Sequence, residues 1–167
     1  GLGKLGGREL NYSSDVDLMY LYESEGAADP ARARSFFSRL AADVTRVIGE
    51  VTAEGVVFRV DLNLRPEGVS GPLVNSVANA LSYYEGWGET WERAALIKTR
   101  PVAGDVGVGR RFVKEVRPFI FRRHLDYQTV DDLRRMKQMI DARQQVQAPG
   151  SRNVKLGRGG IREIEFV

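Results

Sequence analysis

Three aspartates are the residues of this chain whose types and spacing could support chemistry. Asp15 and Asp17 lie two residues apart in DVDLMYLY at 15–22, and Asp61 lies in VVFRVDLNLRP at 56–66. Both stretches alternate in the manner of β-strands, so Asp15 and Asp17 are predicted to share a face. Carboxylates side by side repel unless a cation lies between them, and Mg²⁺ prefers oxygen ligands. If the two strands are neighbours, Asp61 completes a three-carboxylate cluster.

Such a cluster predicts phosphoryl or nucleotidyl transfer by in-line displacement at phosphorus, with two metal ions about 3.5–4 Å apart. One ion would orient the attacking oxygen and the other would hold a triphosphate or the leaving group. The alternative for Asp15 and Asp17 taken alone is an exposed strand end with two solvated carboxylates, since Asp-x-Asp is common.

The glycines at the start of the chain allow a second hypothesis. Gly1, Gly3 and Gly6 match the glycine pattern of a dinucleotide-binding turn. Eight residues separate Gly6 from Asp15, and several of them favour turns, whereas a crossover helix needs about ten or more. The spacing therefore disfavours dinucleotide binding. A glycine-rich turn can instead bind an anion, with Lys4 adding charge, or it can be a tight turn with no ligand.

The elements that must position these residues form an α+β pattern, with a small mixed β-sheet, helices on one face and a helical part after it. In chain order they are a strand at 15–22, a loop at 23–30, a helix at 31–49, a strand at 56–64, a helical run at 75–98 broken near Gly86 and Gly88, a linker at 101–109, and helices at 110–117 and 129–146. The helix at 31–49 carries apolar residues at helical spacing that would cover a sheet face: Phe36, Phe37, Leu40, Val44, Val47 and Ile48. We predict a catalytic core at 1–105 and a helical extension at 106–167.

Composition excludes several classes of protein. The 167 residues are 43% hydrophobic and 28% charged, which is typical of a folded chain. No apolar run approaches the ~20 residues of a membrane span. A net charge of +3, from 25 basic and 22 acidic residues, is too balanced to indicate a nucleic-acid partner. The absence of cysteine favours a cytoplasmic protein. The first residue is Gly1, and we expect the chain to be a segment of a longer protein.

Several motifs together resemble a known family. They are GKLGGRELNYSSDVDL at 3–18, VDLNLRPEGVSGPLV at 60–74, Tyr83-Tyr84, WERAALIKTR at 91–100 and GGIREIEF at 159–166. In order and spacing they resemble the nucleotidyltransferase motifs of the bifunctional glutamine synthetase adenylyltransferase/adenylyl-removing enzymes. PFIFRR at 118–123 and GGIREIEF look like the amino-terminal, adenylyl-removing half of that family.

The resemblance implies a nucleotidyltransferase-type fold and a specific site. Asp15, Asp17 and Asp61 would be catalytic ligands of Mg²⁺, and the Gly6-Gly7 turn with Ser14 would lie near the phosphates. Basic candidates for binding phosphate are Lys4, Arg65, Lys98 and Arg100. The implied reaction is phosphorolysis, in which phosphate removes AMP from the adenylylated tyrosine of glutamine synthetase and yields ADP.

Three alternatives stay open. The chain could be the half that uses ATP to adenylylate the same tyrosine, because both halves share the metal site. It could be a nucleotidyltransferase with another acceptor, or a regulatory module that binds nucleotide without chemistry. A PII-type signalling protein is a further expected partner, and no membrane or nucleic-acid partner is expected.

Overall fold

A computed structural model describes residues 1–12 and 14–121, together with positions 131, 134, 135 and 138. The chain divides into two compact units, Gly1–Arg122 and Arg123–Val167. In the second unit the four described positions are helical, and Asp131 lies 3.6 Å from Arg134. The rest of the helix predicted at 129–146, and the GGIREIEF motif, fall outside the described residues.

The first unit alternates short strands with helices. Its helices are α1 (Gly3–Gly6), α2 (Pro30–Gly49), α3 (Val77–Gly86), α4 (Thr90–Leu96) and α5 (Val106–Ile120), with a 3₁₀ turn at Gly68–Ser70. Its strands are β1 (Val16–Asp17), β2 (Tyr20–Tyr22), β3 (Val60–Asp61) and β4 (Val74–Ser76). The α+β class predicted from the sequence is confirmed.

The strands form two parallel pairs among the described residues. β1 pairs with β3 so that Val16 lies opposite Val60 and Asp17 opposite Asp61. β2 pairs with β4, with Tyr22 opposite Ser76. The single strand predicted at 15–22 is therefore divided at residues 18–19, and the strand predicted at 56–64 is only two residues long. Each strand extends only as far as its partner supplies hydrogen bonds, which periodicity alone does not reveal.

Helix α2 begins where the sequence predicts. The Asp29 side chain caps it by accepting from the Arg32 amide at 3.0 Å, and Pro30 occupies the first helical position. Phe37 stacks on Tyr22 at a ring-centroid distance of 5.1 Å, and Ala41 is buried.

The prediction that the whole apolar stripe of α2 covers a sheet is wrong. Phe36, Leu40 and Val47 are 54%, 47% and 63% exposed. A 20-residue helix is about 30 Å long, whereas β2 and β4 have three residues each and extend about 10 Å. The strands can therefore bury only part of the stripe.

The main core lies between α3, α4 and α5. Its buried members are Leu2, Val77, Ala80, Tyr84, Leu96, Phe112, Val116 and Ile120. The predicted break of the helical run is confirmed, since α3 ends at Gly86 and α4 begins at Thr90. Helix α5 begins four residues earlier than predicted because the Asp105 carboxylate caps it, accepting from the amides of Gly107 and Val108.

None of the helices in the described part of the chain has the length and apolar character needed to cross a membrane.

Candidate active site

The β1–β3 pair brings two of the three predicted carboxylates together. Asp17 and Asp61 are register partners and both are half-buried. The pair is held on both sides, since the Leu18 amide donates to the Asp61 carbonyl at 2.9 Å and the Val16 amide to the Arg59 carbonyl at 2.8 Å. Side chains of register partners point to the same face of a sheet. Two negative charges are thus set side by side on neighbouring strands.

Asp15 precedes β1 and shares its face with Asp17, but its carboxylate has a different partner. The Arg59 guanidinium donates to Asp15 Oδ1 at 2.5 Å. The pair is solvent-accessible, with Arg59 73% and Asp15 46% exposed. An exposed ion pair of this kind contributes little stability, so Asp15 can exchange Arg59 for another cation at low cost.

As the side chains lie, no group of three or more His, Cys, Asp or Glu residues within the described ranges is arranged to hold a metal ion. Asp15 is turned to Arg59, and Asp61 Oδ1 accepts from the Asn63 amide at 2.7 Å. The donor set nevertheless fits a hard divalent cation in kind, because it offers carboxylate oxygens beside solvent. Asp17 Oδ2 also occupies the space that a Cβ at Gly3 would need, so glycine there gives this carboxylate room.

The glycine turn lies directly against this carboxylate. Helix α1 follows Leu2, whose amide donates to the Asp17 carbonyl at 2.9 Å. Gly3 has φ +50°, a backbone conformation that favours glycine. The amides of Gly6 and Gly7 donate to the carbonyls of Leu2 and Gly3, so these N–H groups close the turn. The turn can approach a phosphate, but not through those two amides.

Gly6 is glycine for a packing reason. A Cβ at this position would collide with the Lys98 carbonyl. The residues after α4 therefore pass close against the glycine turn, and the Arg100 amide donates to the Gly1 carbonyl at 3.0 Å.

The basic residues predicted to bind phosphate have different surroundings. The Lys4 carbonyl accepts from the Glu9 amide at 2.8 Å, but its ammonium group has no hydrogen-bond or ion-pair partner within the described ranges. Lys98 Nζ lies 2.7 Å from Glu9 Oε2. The Ser14 hydroxyl donates to the Asn11 side chain beside it. These three residues lie on the segments that flank Asp15 and the glycine turn.

Arg65 and Arg100 donate to backbone carbonyls. Arg65 bonds four of them, at Leu62, Val69, Gly71 and Pro72. Arg100 bonds the Leu5 carbonyl at 2.8 Å and the Gly6 carbonyl at 3.1 Å, at the end of α1. Both guanidiniums therefore order loops next to the carboxylates.

Glu92 is a buried carboxylate that the sequence reasoning did not single out. It is 1% exposed, accepts from the Tyr83 hydroxyl at 3.1 Å and from the Glu89 amide at 2.9 Å, and completes a capping box for α4. Burial raises the pKa of Glu92, and burial followed by the charge of Glu92 raises the pKa of Tyr83. The signal in the sequence is Glu89-x-x-Glu92 at the start of a helix.

Register-paired aspartates lie beside a short glycine-containing helix in an α+β unit, and comparison with known proteins specifies the family. Residues 1–117 match the family described as glutamate-ammonia ligase adenylyltransferase. Residues 133–167 match the family described as GlnD PII-uridylyltransferase.

Curated relatives extend the match over the chain. It is 52% identical to a bifunctional glutamine synthetase adenylyltransferase/adenylyl-removing enzyme of Thioalkalivibrio sulfidiphilus, with 100% of the chain covered. Proteins of the same name from Agrobacterium fabrum and Pseudomonas aeruginosa are 51% and 48% identical over 99% and 100% of the chain. The chain belongs to the glutamate-ammonia ligase adenylyltransferase family. It spans 17% of the length of each of these three relatives.

Proposed function

We propose that this chain carries out metal-dependent nucleotidyl transfer on glutamine synthetase, removing AMP from an adenylylated tyrosine by phosphorolysis. The observation that carries the proposal is the register pairing of Asp17 with Asp61 beside the glycine turn. Family membership supports the class of reaction and the protein substrate. The choice of the removing direction rests on the resemblance of residues 118–123 and 159–166 to the adenylyl-removing half.

In the proposed site Asp15, Asp17 and Asp61 would hold Mg²⁺, which would supply positive charge to the reacting phosphate groups. Asp15 would exchange Arg59 for the cation. The Asn63 amide orients the Asp61 carboxylate through Oδ1. Lys4 and Lys98, with Ser14 and the Gly6-Gly7 turn nearby, attract the anionic groups, while Arg65 and Arg100 keep the loops in place.

The proposed reaction balances without a further reactant. An oxygen of inorganic phosphate attacks the phosphorus of AMP in line with the bond to the tyrosine oxygen. The new P–O bond forms as the P–O(Tyr) bond breaks, giving ADP and a tyrosine whose oxygen takes up the proton that the attacking phosphate loses. Positioning and charge neutralisation carry such a transfer, so the protein needs no covalent intermediate.

A second candidate is the opposite reaction, in which ATP adenylylates the same tyrosine and releases pyrophosphate. It would use the same carboxylates and the same turn.

We also propose a PII-type protein as regulator, because residues 133–167 match a family whose description names PII.

The direct test incubates the chain with adenylylated glutamine synthetase, Mg²⁺ and phosphate, and measures ADP by chromatography. We expect ADP to form and Asp17→Asn to reduce its rate by more than about 100-fold, the upper end of what losing an outer-shell partner costs a metal site. Asp43→Asn on the exposed face of α2 is the matched control and should retain the wild-type rate.

The assay also separates the candidates. Formation of pyrophosphate from ATP and unmodified glutamine synthetase, without ADP from the adenylylated form, would assign the chain to the adenylylating reaction. If a folded wild-type chain does neither, or if Asp17→Asn is as fast as the wild type, the proposal is wrong.

A further inference from the structure

We propose that Arg65 is a positioning residue for Asp61: by bonding four backbone carbonyls of the loop that follows β3, it fixes the turn that aims the Asp61 carboxylate. This inference rests on the proposed function, because it assigns a role within the metal site described above. It assigns Arg65 to loop geometry and leaves the attraction of phosphate to other residues.

The loop at 62–72 is wrapped around one guanidinium. Arg65 Nη1 donates to the Leu62 carbonyl at 2.8 Å and Nε to the Pro72 carbonyl at 3.1 Å. Nη2 donates to the carbonyls of Gly71 and Val69 at 3.1 and 3.3 Å. The two ends of the loop are therefore tied to the same planar group, and four of its five N–H bonds are used.

Arg65 reaches Asp61 through a single residue. Leu62 directly follows Asp61, and its carbonyl accepts from both the amide and the guanidinium of Arg65. The next amide, that of Asn63, donates to Asp61 Oδ1 at 2.7 Å. The Asp61 carbonyl, in the peptide unit that joins it to Leu62, is held by the Leu18 amide of β1. The backbone that leads from Asp61 into the loop is therefore fixed, and the Asn63 amide holds the carboxylate through Oδ1.

The loop does not adopt this shape through local preference. Glu67 has φ +64°, which is unfavourable for a residue with a side chain, and Gly68 has φ +58°. A Cβ at Gly71 would collide with the Pro66 carbonyl, so the chain closes tightly here. A conformation of this kind persists only where other contacts impose it, and the bonds of Arg65 to the carbonyls are such contacts.

Arginine and lysine differ at such a position. The guanidinium presents several N–H bonds in a fixed plane, whereas an ammonium is a compact charge on a flexible stem and cannot bond four carbonyls arranged around a plane. Arg65→Lys therefore keeps the positive charge but loses the geometry. If Arg65 acted by its charge on phosphate, lysine would retain much of its effect.

The test measures Mn²⁺ affinity of the chain by electron paramagnetic resonance, without nucleotide or phosphate. We expect Arg65→Lys and Arg65→Gln each to weaken Mn²⁺ binding about 10-fold or more, which is typical for loss of a group that orients a metal ligand. Asp61→Asn sets the value for a lost ligand. Arg46→Gln, which removes an exposed guanidinium from α2, should bind as the wild type does. Circular dichroism shows whether each variant is folded. If Arg65→Gln does not fold, the Mn²⁺ affinity of Arg65→Lys decides the test.

The outcomes separate the two proposals. Wild-type affinity in Arg65→Lys, with loss of binding in Asp61→Asn, overturns the positioning role and leaves the metal site standing. Absence of Mn²⁺ binding by the wild type overturns both.

A measurement on the wild type needs no variant. The Arg65 Nε–H proton should exchange slowly with water, and its resonance should keep its chemical shift when phosphate is added. A shift on adding phosphate would assign Arg65 to the anion instead.

Discussion

Asp17 and Asp61 are neighbours because of a parallel register only two residues long. Asp17 is held from the other side as well, since its carbonyl accepts from Leu2 and its carboxylate fills the space beside Gly3. The site therefore depends on the close approach of the glycine turn to β1. Glycine leaves room for the Asp17 carboxylate, and the short strands supply both carboxylates.

Gly6 allows a test of that close approach. We expect Gly6→Ala to lower the free energy of unfolding by about 1–3 kcal/mol, since the new Cβ would collide with the Lys98 carbonyl and the backbone must shift. Urea unfolding followed by circular dichroism measures the change. Gly86→Ala is the matched control: nothing lies within 4 Å of its Cβ, so stability should change by less than about 1 kcal/mol. An equally small effect at Gly6 would contradict the packing described here.

The buried carboxyl group of Glu92 should make the free energy of unfolding depend on pH. Burial raises the pKa of Glu92 in the folded state above the ordinary value of a glutamate, so the folded chain binds this proton more tightly than the unfolded chain does. The resulting stabilisation is fully present below the unfolded pKa and is lost as pH rises through the folded pKa.

Glu92→Gln should remove this dependence while keeping a hydrogen-bond acceptor for Tyr83. The unfolding free energy of the wild type relative to Glu92→Gln should fall as pH rises from 4 toward 7, measured by urea unfolding. Glu85→Gln, at an exposed position of α3, controls for the change in net charge. A difference between wild type and Glu92→Gln that rises with pH would contradict the stated direction.

The sequence predicted which individual residues belong to the candidate site, but it did not predict their side-chain contacts. Alternation placed Asp15 and Asp17 on one face, and a second alternating stretch pointed to Asp61. The pairing of Asp15 with Arg59 and the four carbonyls around Arg65 depend on backbone conformations that side-chain patterns do not encode. Whether the carboxylates bind Mg²⁺ stays a prediction.

The loop after β3 is the element on which Asp61 depends most. Glu67 is one of two non-glycine residues with positive φ among those the structure describes, the other being Arg8. This strain is located six residues from a candidate ligand, in the loop that Arg65 organises.

Glu67 provides a test of the loop conformation. We expect Glu67→Val to lower the unfolding free energy by about 1–2 kcal/mol, because a β-branched residue is disfavoured at positive φ. Glu67→Gly should lie within about 1 kcal/mol of the wild type, since relief of strain is offset by greater freedom of the unfolded chain. Glu54→Val, in an exposed turn without positive φ, is the control. If Val is tolerated equally at 54 and 67, the loop does not have this shape in solution.

Elements differed in how well the sequence predicted them. Helix α2 has an N-cap, a proline at its first position and sustained periodicity, which are local signals, and its bounds were predicted within one residue. Strands β1 to β4 have two or three residues each, and their ends depend on partners distant in sequence. Helix α5 begins before Gly107 and Gly109 because its cap at Asp105 outweighs their low helix propensity.

The first unit as a whole combines a buried helical core with strands whose outer helix is only partly packed. Tyr84 and Phe112 belong to the core around α3, α4 and α5, whereas Phe36 and Leu40 on α2 remain exposed. The candidate site lies on the strand pair β1–β3, which connects to the core through Leu2 and the glycine turn. The proposed function depends on this connection, because it places carboxylates from two distant segments in one location.

The most direct measurement of that central claim uses nuclear magnetic resonance of the uniformly ¹⁵N-labelled chain. Substoichiometric Mn²⁺ should first broaden the amide signals of Gly3, Asp17 and Asp61. These residues lie together although Gly3 and Asp61 are 58 positions apart in the sequence. The Asp17→Asn substitution should remove the broadening. Broadening confined to one strand, or strongest at residues outside 1–18 and 58–64, would contradict the claim that these carboxylates bind a shared cation.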